Sequence, residues 1–132
     1  MNGKFVLSKE VVREQLDWGE MGWISQPPNT EAKYLTVIEV TLAPGGGHNF
    51  HKHPDQEEVI SVVAGEIEQW LEGEKMTLKP GDSIFIHPDV VHASFNVSSQ
   101  PAKLMVMLSP CVGPTGYEVV DVSSEAPWKS LR

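Results

Sequence analysis

The chain has 132 residues, 40% of them hydrophobic, and a formal charge of −8 from 10 basic and 18 acidic side chains. That length makes one domain with a real core, and that composition excludes a disordered chain. No basic stripe is present to neutralise phosphates, which argues against nucleic acid and anionic membrane as partners. No apolar run reaches bilayer length, and the opening MNGKFVLSKEVVREQ breaks into charge too soon for a secretory signal. A cytoplasmic location is the expectation, and the single Cys111 reads as a small buried hydrophobe.

In chain order, SKEVVREQLDW sets Val12 and Leu16 four apart behind Ser8 as an N-cap, the pattern of a short helix. WISQPPN follows as an extended arm, with Pro27 and Pro28 excluding helix there. Residues 1–33 are thus predicted to form an N-terminal helix or arm, and Trp18 and Trp23 suit it to lie across a second copy in a homodimer. KYLTVIEVTL alternates Ile38, Val40 and Leu42 against Val37, Glu39 and Thr41, the period of a strand. EVISVVAG, EIEQWLEG, KMTLKPGDSIFIHP, HASFNV and KLMVMLS follow, with turns at EGEK and KPGD. Short strands punctuated this regularly predict an all-β sandwich or barrel, its core within residues 34–110. Residues 111–132, ending in SSEAPWKSLR, are predicted to form a strap on the barrel's outside.

The chemistry concentrates in GGGHNFHKHPDQEEV. His51 and His53 are two apart, so a strand would put both on one face with Cα atoms about 6.7 Å apart, close enough to share a metal. His48 has the opposite parity and is expected to point away. Glu58 opens an otherwise apolar strand, in phase with Ile60 and Val62, where a carboxylate is costly unless paired or metal-bound. His92 opens another strand, in phase with Ser94 and Asn96. Three imidazoles and one carboxylate from neighbouring strands would make a mixed nitrogen–oxygen metal site.

Gly45, His51, His53, Glu58 and Gly65 stand at the spacing G-x5-H-x-H-x4-E-x6-G, which resembles the first motif of the cupin superfamily. Gly81, His92 and Asn96 resemble its second motif, with His87 where the family usually has proline and Asp89 where it usually has glycine. The resemblance spans roughly Val37 to Leu108. It implies a double-stranded β-helix, a jelly-roll barrel, with His51, His53, Glu58 and His92 as metal ligands. Glu57 is the rival to Glu58, the interval to Gly65 favouring the latter. His87 reads either as a turn residue or as an outer acid–base group, the turn being favoured, and Trp70 and Phe85 either as core or as cavity wall.

Four such ligands would close a tetrahedral zinc site but leave positions open on a five- or six-coordinate ion. Without a thiolate, the candidates are one divalent iron, manganese, nickel, cobalt, zinc or copper ion per chain. The expected function is a metal-dependent oxygenase acting on a small organic molecule chelated to the ion, as in the quercetin and diketone dioxygenases this sequence resembles. The alternatives are a redox-neutral isomerase, lyase or decarboxylase, or a binding protein without turnover.

Overall fold

The computed structural model describes residues 2–132, and strands dominate them. Eleven strands are formed: β1 (Val12–Leu16), β2 (Gly19–Ser25), β3 (Thr36–Leu42), β4 (Gly47–Lys52), β5 (Glu57–Ala64), β6 (Ile67–Leu71), β7 (Glu74–Leu78), β8 (Ser83–Ile86), β9 (His92–Phe95), β10 (Ala102–Ser109) and β11 (Val120–Asp121). They assemble into a six-stranded sheet, β1-β2-β3-β10-β5-β8, and a five-stranded sheet, β11-β4-β9-β6-β7. The pairings are antiparallel. This is the expected all-β jelly roll.

Period-two patterning builds the space between the sheets. Ile38, Val40 and Leu42 of β3 are buried, as are Ile60 and Val62 of β5 and Leu104, Val106 and Leu108 of β10. Ile67, Leu78 and Ile86 complete that core from the other strands. A second apolar cluster lies on the far side of the smaller sheet: Phe50, Trp70, Ala93, Phe95 and Val122, covered by Trp128 and Leu131. Trp128 stacks on Phe50 with ring centroids 5.6 Å apart. Trp70 therefore belongs to a core and does not line a cavity, while Phe85 is turned outward and 48% exposed.

Two local expectations fail at the N-terminus. The helix reduces to a 3-10 turn at Ser8–Glu10, after which Val12–Leu16 is a strand paired with β2. Residues four apart share a face in a strand as well as in a helix, so Val12 and Leu16 fit both periods; hairpin pairing with β2 decides for strand. Pro27 and Pro28 do not exclude helix either: they begin a single α-turn, Pro27–Thr30. At the first helical positions proline's fixed φ suits the turn and its missing N–H has no partner to lose.

Turn chemistry positions the ligand-bearing strands. Gly65 has φ +73°, and a Cβ there would lie 2.8 Å from the Pro101 carbonyl oxygen. Asp89, where the resembled motif has glycine, also adopts a left-handed φ of 67°. Aspartate tolerates that region better than most side chains. Its N–H donates to the His53 carbonyl at 3.0 Å and its carboxylate meets Lys52 Nζ at 3.1 Å. The turn before His92 thus keeps its shape despite the departure.

Candidate metal centre

The three histidines come from two adjacent strands of the smaller sheet. His51 on β4 is directly opposite His92 on β9, and His53 follows the end of β4. The rings approach with centroids 4.2 Å apart for His51 and His92, 5.0 Å for His51 and His53, and 5.2 Å for His53 and His92. All three are buried. One nitrogen from each lies within 4.8 Å of the others, the arrangement of a site for a single metal ion.

Each ring is oriented through Nδ1 by a backbone carbonyl. His51 Nδ1 is 2.6 Å from the Asn49 oxygen, His92 Nδ1 is 3.0 Å from the Val90 oxygen, and His53 Nδ1 is 2.6 Å from the Glu118 oxygen. A carbonyl only accepts, so Nδ1 carries the proton and Nε2 is free to be a ligand. The Glu118 contact is long-range and well supported. Buried Gln56 donates from Nε2 to the carbonyls of Pro110 and Gly116 at 2.8 and 2.9 Å, and its Oε1 accepts from Glu118 N–H at 3.0 Å. One glutamine side chain therefore fixes the loop that orients His53.

Glu58, on β5 of the larger sheet, faces the imidazoles across the barrel; Glu57 points outward and is exposed. Glu58 Oε1 lies 2.7 Å from His92 Nε2 and 3.3 Å from His53 Nε2. With the ring protons on Nδ1, Nε2 and a carboxylate oxygen are both acceptors, and His53 Nε2, His92 Nε2 and Glu58 Oε1 are buried polar atoms without a hydrogen-bond partner. Orphaned buried polar atoms are rare, and three gathered beside the histidine cluster fit a cation site. Ligand atoms at about 2.1 Å from a shared ion stand roughly 3 Å apart, which is the scale seen here.

The electrostatics agree. Burial alone would raise the Glu58 pKa, but the contacts with His53 and His92 hold it well below the usual carboxylate range. Burial alone would lower His53, yet the adjacent Glu58 carboxylate more than offsets this and raises it. Burial, then the neighbouring histidines, drives His51 well below the ordinary value.

His48 does not point away. It stacks on His51 with ring centroids 3.5 Å apart and planes 12° apart, and on Trp18 at 5.2 Å and 9°. The parity argument fails because β4 carries a register shift between His48 and His51 against β9. One extra residue on the bulged strand returns His48 to the inner face. Burial lowers its pKa to about 4, His53 adding to the effect. His87, by contrast, is exposed on the turn after β8, edge-on to Phe85 at 4.8 Å, with its carbonyl facing Val90 N–H at 3.4 Å. The turn reading holds for it.

Two cavities adjoin the centre. An interior one of about 30 Å³ is lined by His48, His51, Glu58, Ser94 and Tyr117, among apolar side chains of β2, β3 and β10. An open cleft of about 720 Å³ lies outside it, between the β1–β2 hairpin and residues 115–119. Trp18, Met21, His48 and Tyr117 line both. Trp18 and Trp23 thus face their own chain's cleft. Sequence reading missed Tyr117 altogether, since nothing local links it to the histidines.

Known proteins with these features are cupins. The Cupin domain family matches residues 38–108. The chain is similar to polyketide synthase CurC of Streptomyces cyaneus, 28% identical over 127 residues that make up 96% of this chain and 81% of that protein. Its fold is similar to that of KdgF from Halomonas sp., with a TM-score of 0.71 at 22% identity, over 81% of this chain and 94% of that one. The DMSP lyase DddQ from Ruegeria pomeroyi matches with a TM-score of 0.61 and 28% identity, over 72% of this chain and 46% of that one. With the motif spacing, the jelly roll and the histidine cluster in agreement with the family match, the chain belongs to the metal-binding cupin family.

Proposed function

We propose that His51, His53, His92 and Glu58 hold one divalent transition metal, and that the protein is an enzyme acting on a small, oxygen-rich organic molecule. The observation that carries this reading is the cluster of buried, partnerless His53 Nε2, His92 Nε2 and Glu58 Oε1 beside His51, where His51 and Glu58 line a small interior cavity that shares Trp18, Met21, His48 and Tyr117 with an open cleft. When bound, such an ion supplies Lewis acidity and, for a redox-active metal, a route for electrons to dioxygen. The chain's own residues do the rest. The three backbone carbonyls fix the imidazole tautomers, and the apolar wall of Ile60, Leu104 and Val106 excludes bulk water. Burial pushes the Tyr117 hydroxyl up, with the Glu58 charge adding to the effect, so it stays a neutral hydrogen-bond donor.

The reaction we favour is oxygenation of an enolisable dicarbonyl or of a phenol with a second oxygen ortho to the first, either of which offers two oxygens to an ion with positions to spare. The likeness to a protein named as a polyketide synthase supports such a substrate, because polyketides carry oxygens at alternate carbons. Redox-neutral cleavage is the second reading, supported by the likeness to a lyase. Elemental analysis, followed by oxygen-electrode and anaerobic assays of the iron(II)-loaded protein with β-diketones and phenols, separates them. Substrate-dependent oxygen uptake that is absent in Glu58→Ala supports the oxygenase; equal turnover without oxygen supports the lyase. A protein that carries no metal sinks both.

The expected homodimer now rests on different residues. Phe5, Leu7 and Val12 are 83, 50 and 67% exposed, beside and on the open edge strand β1. An unprotected edge with apolar side chains invites a second copy. Light scattering of wild type against Val12→Lys tests it, a wild-type monomer at micromolar concentration counting against the dimer. Among the described residues no helix is long and apolar enough to cross a membrane.

A further inference from the structure

The dimensions of the two cavities divide the work of binding. The interior space of about 30 Å³ holds a water or two and no organic ring. The outer cleft of about 720 Å³ is in the range of small-molecule sites. A ligand that reaches the centre must therefore send in only its reacting atoms and leave its body in the cleft. The walls there are aromatic. Trp18, on the β1–β2 turn, is held by Ala43 N–H donating to its carbonyl at 3.0 Å, and its ring lies nearly parallel to His48. Across the opening, Tyr117 packs edge-on to Trp23 with centroids 5.5 Å apart.

Charge narrows the occupant further. Arg13 is the only basic side chain lining the cleft among the described residues, and Glu20 and Glu39 already engage it at 3.4 and 3.2 Å. Glu14 faces the cleft, accepting a hydrogen bond from Trp23 Nε1–H at 3.3 Å. In the cleft itself a dianionic ligand would meet Glu14 and an arginine that is already paired.

We propose that the cleft binds the body of a flat, uncharged ligand, an aromatic or conjugated ring with two neighbouring oxygens, stacked on Trp18 against Tyr117, and that Glu14 sorts against anions. The proposal rests on the reading of the centre given above only for the destination of the oxygens. Face stacking on a tryptophan rewards a ring and does not reward a small diacid.

The test is calorimetric titration at pH 7 of zinc-reconstituted protein with catechol, uncharged at that pH, and with oxalate, a dianion. Trp18→Ala should weaken catechol about tenfold and leave oxalate within about twofold. Trp18→Phe, which keeps an aromatic face, should retain catechol affinity within about threefold and guards against a folding defect. Glu14→Lys should tighten oxalate at least about threefold. The proposal is overturned if Trp18→Ala shifts both probes alike, if Glu14→Lys leaves oxalate where it was, or if zinc-bearing protein shows no saturable catechol binding. Elemental analysis of the same samples keeps the two readings apart. Protein without zinc removes the metal reading, and the dependence of catechol binding on Trp18 still decides the cleft.

Discussion

The two faces of the smaller sheet are made by the same strands and could hardly differ more. On β4 and β9, His51, His92 and Ser94 look into the barrel while Phe50, Ala93 and Phe95 look out. The inner face holds buried polar atoms without hydrogen-bond partners; the outer face is a close-packed aromatic cluster beneath Trp128. Unpaired polar atoms cost free energy when buried, and packed rings of this size return it. The lesson is that the centre is held in place from behind. A strand can present a costly face inward because its other face anchors it.

The comparison breaks most sharply at the anchor. Phe50→Ala removes the ring that touches Trp70, Phe95 and Trp128, and should cost about 3–5 kcal/mol in denaturant unfolding of the metal-free protein. On the inner face, His92→Ala should abolish the stabilisation that metal gives the wild type, about 2.7–4.1 kcal/mol at 100 to 1,000 times the dissociation constant. Thermal scans with and without metal check this, and an equal metal-induced shift in the variant would falsify the assignment of His92.

That contribution should also depend on pH in a fixed direction. Glu58 raises the His53 pKa in the metal-free protein, so below that raised value the metal must displace a proton. Affinity should therefore fall as pH falls through the His53 pKa. Titration calorimetry in two buffers of different ionisation enthalpy should register proton release on metal binding below that raised value. His48 adds a loss of folding stability in the same direction: its pKa of about 4 lies below the unfolded value, so its share of stability is present above 6.5 and is lost as pH falls towards 4.

Smaller effects sharpen the picture. Gln56→Leu strips hydrogen bonds from Pro110, Gly116 and Glu118, and should cost about 1–3 kcal/mol. It should also weaken metal binding through His53 without touching a ligand. Asp89→Gly should stay within about 1 kcal/mol by chemical denaturation, because glycine accepts the same left-handed φ of 67°.

What was legible in the sequence is what depends on spacing. Period-two burial marked β3, β5 and β10, and the intervals between glycine, histidine and glutamate marked the three-histidine cluster and separated buried Glu58 from exposed Glu57. Where spacing is ambiguous or interrupted, the reading failed. Val12 and Leu16 satisfy two periods at once, and tertiary pairing chose between them. The register shift in β4 undid the parity that sent His48 outward. Tyr117 and Glu118 reach the site through a loop whose placement depends on Gln56, a contact spanning 62 residues that no local pattern announces.

That last contact sets an order of events. His53 and the carbonyl that orients it are 65 residues apart, so a nascent chain displays His51, His53, Glu58 and His92 well before Glu118 has been synthesised. Until the later segment docks, His53 can rotate and offer either nitrogen to a passing ion. The geometry proposed for an ion is therefore complete only once residues 110–118 have been made and have docked on Gln56 and His53.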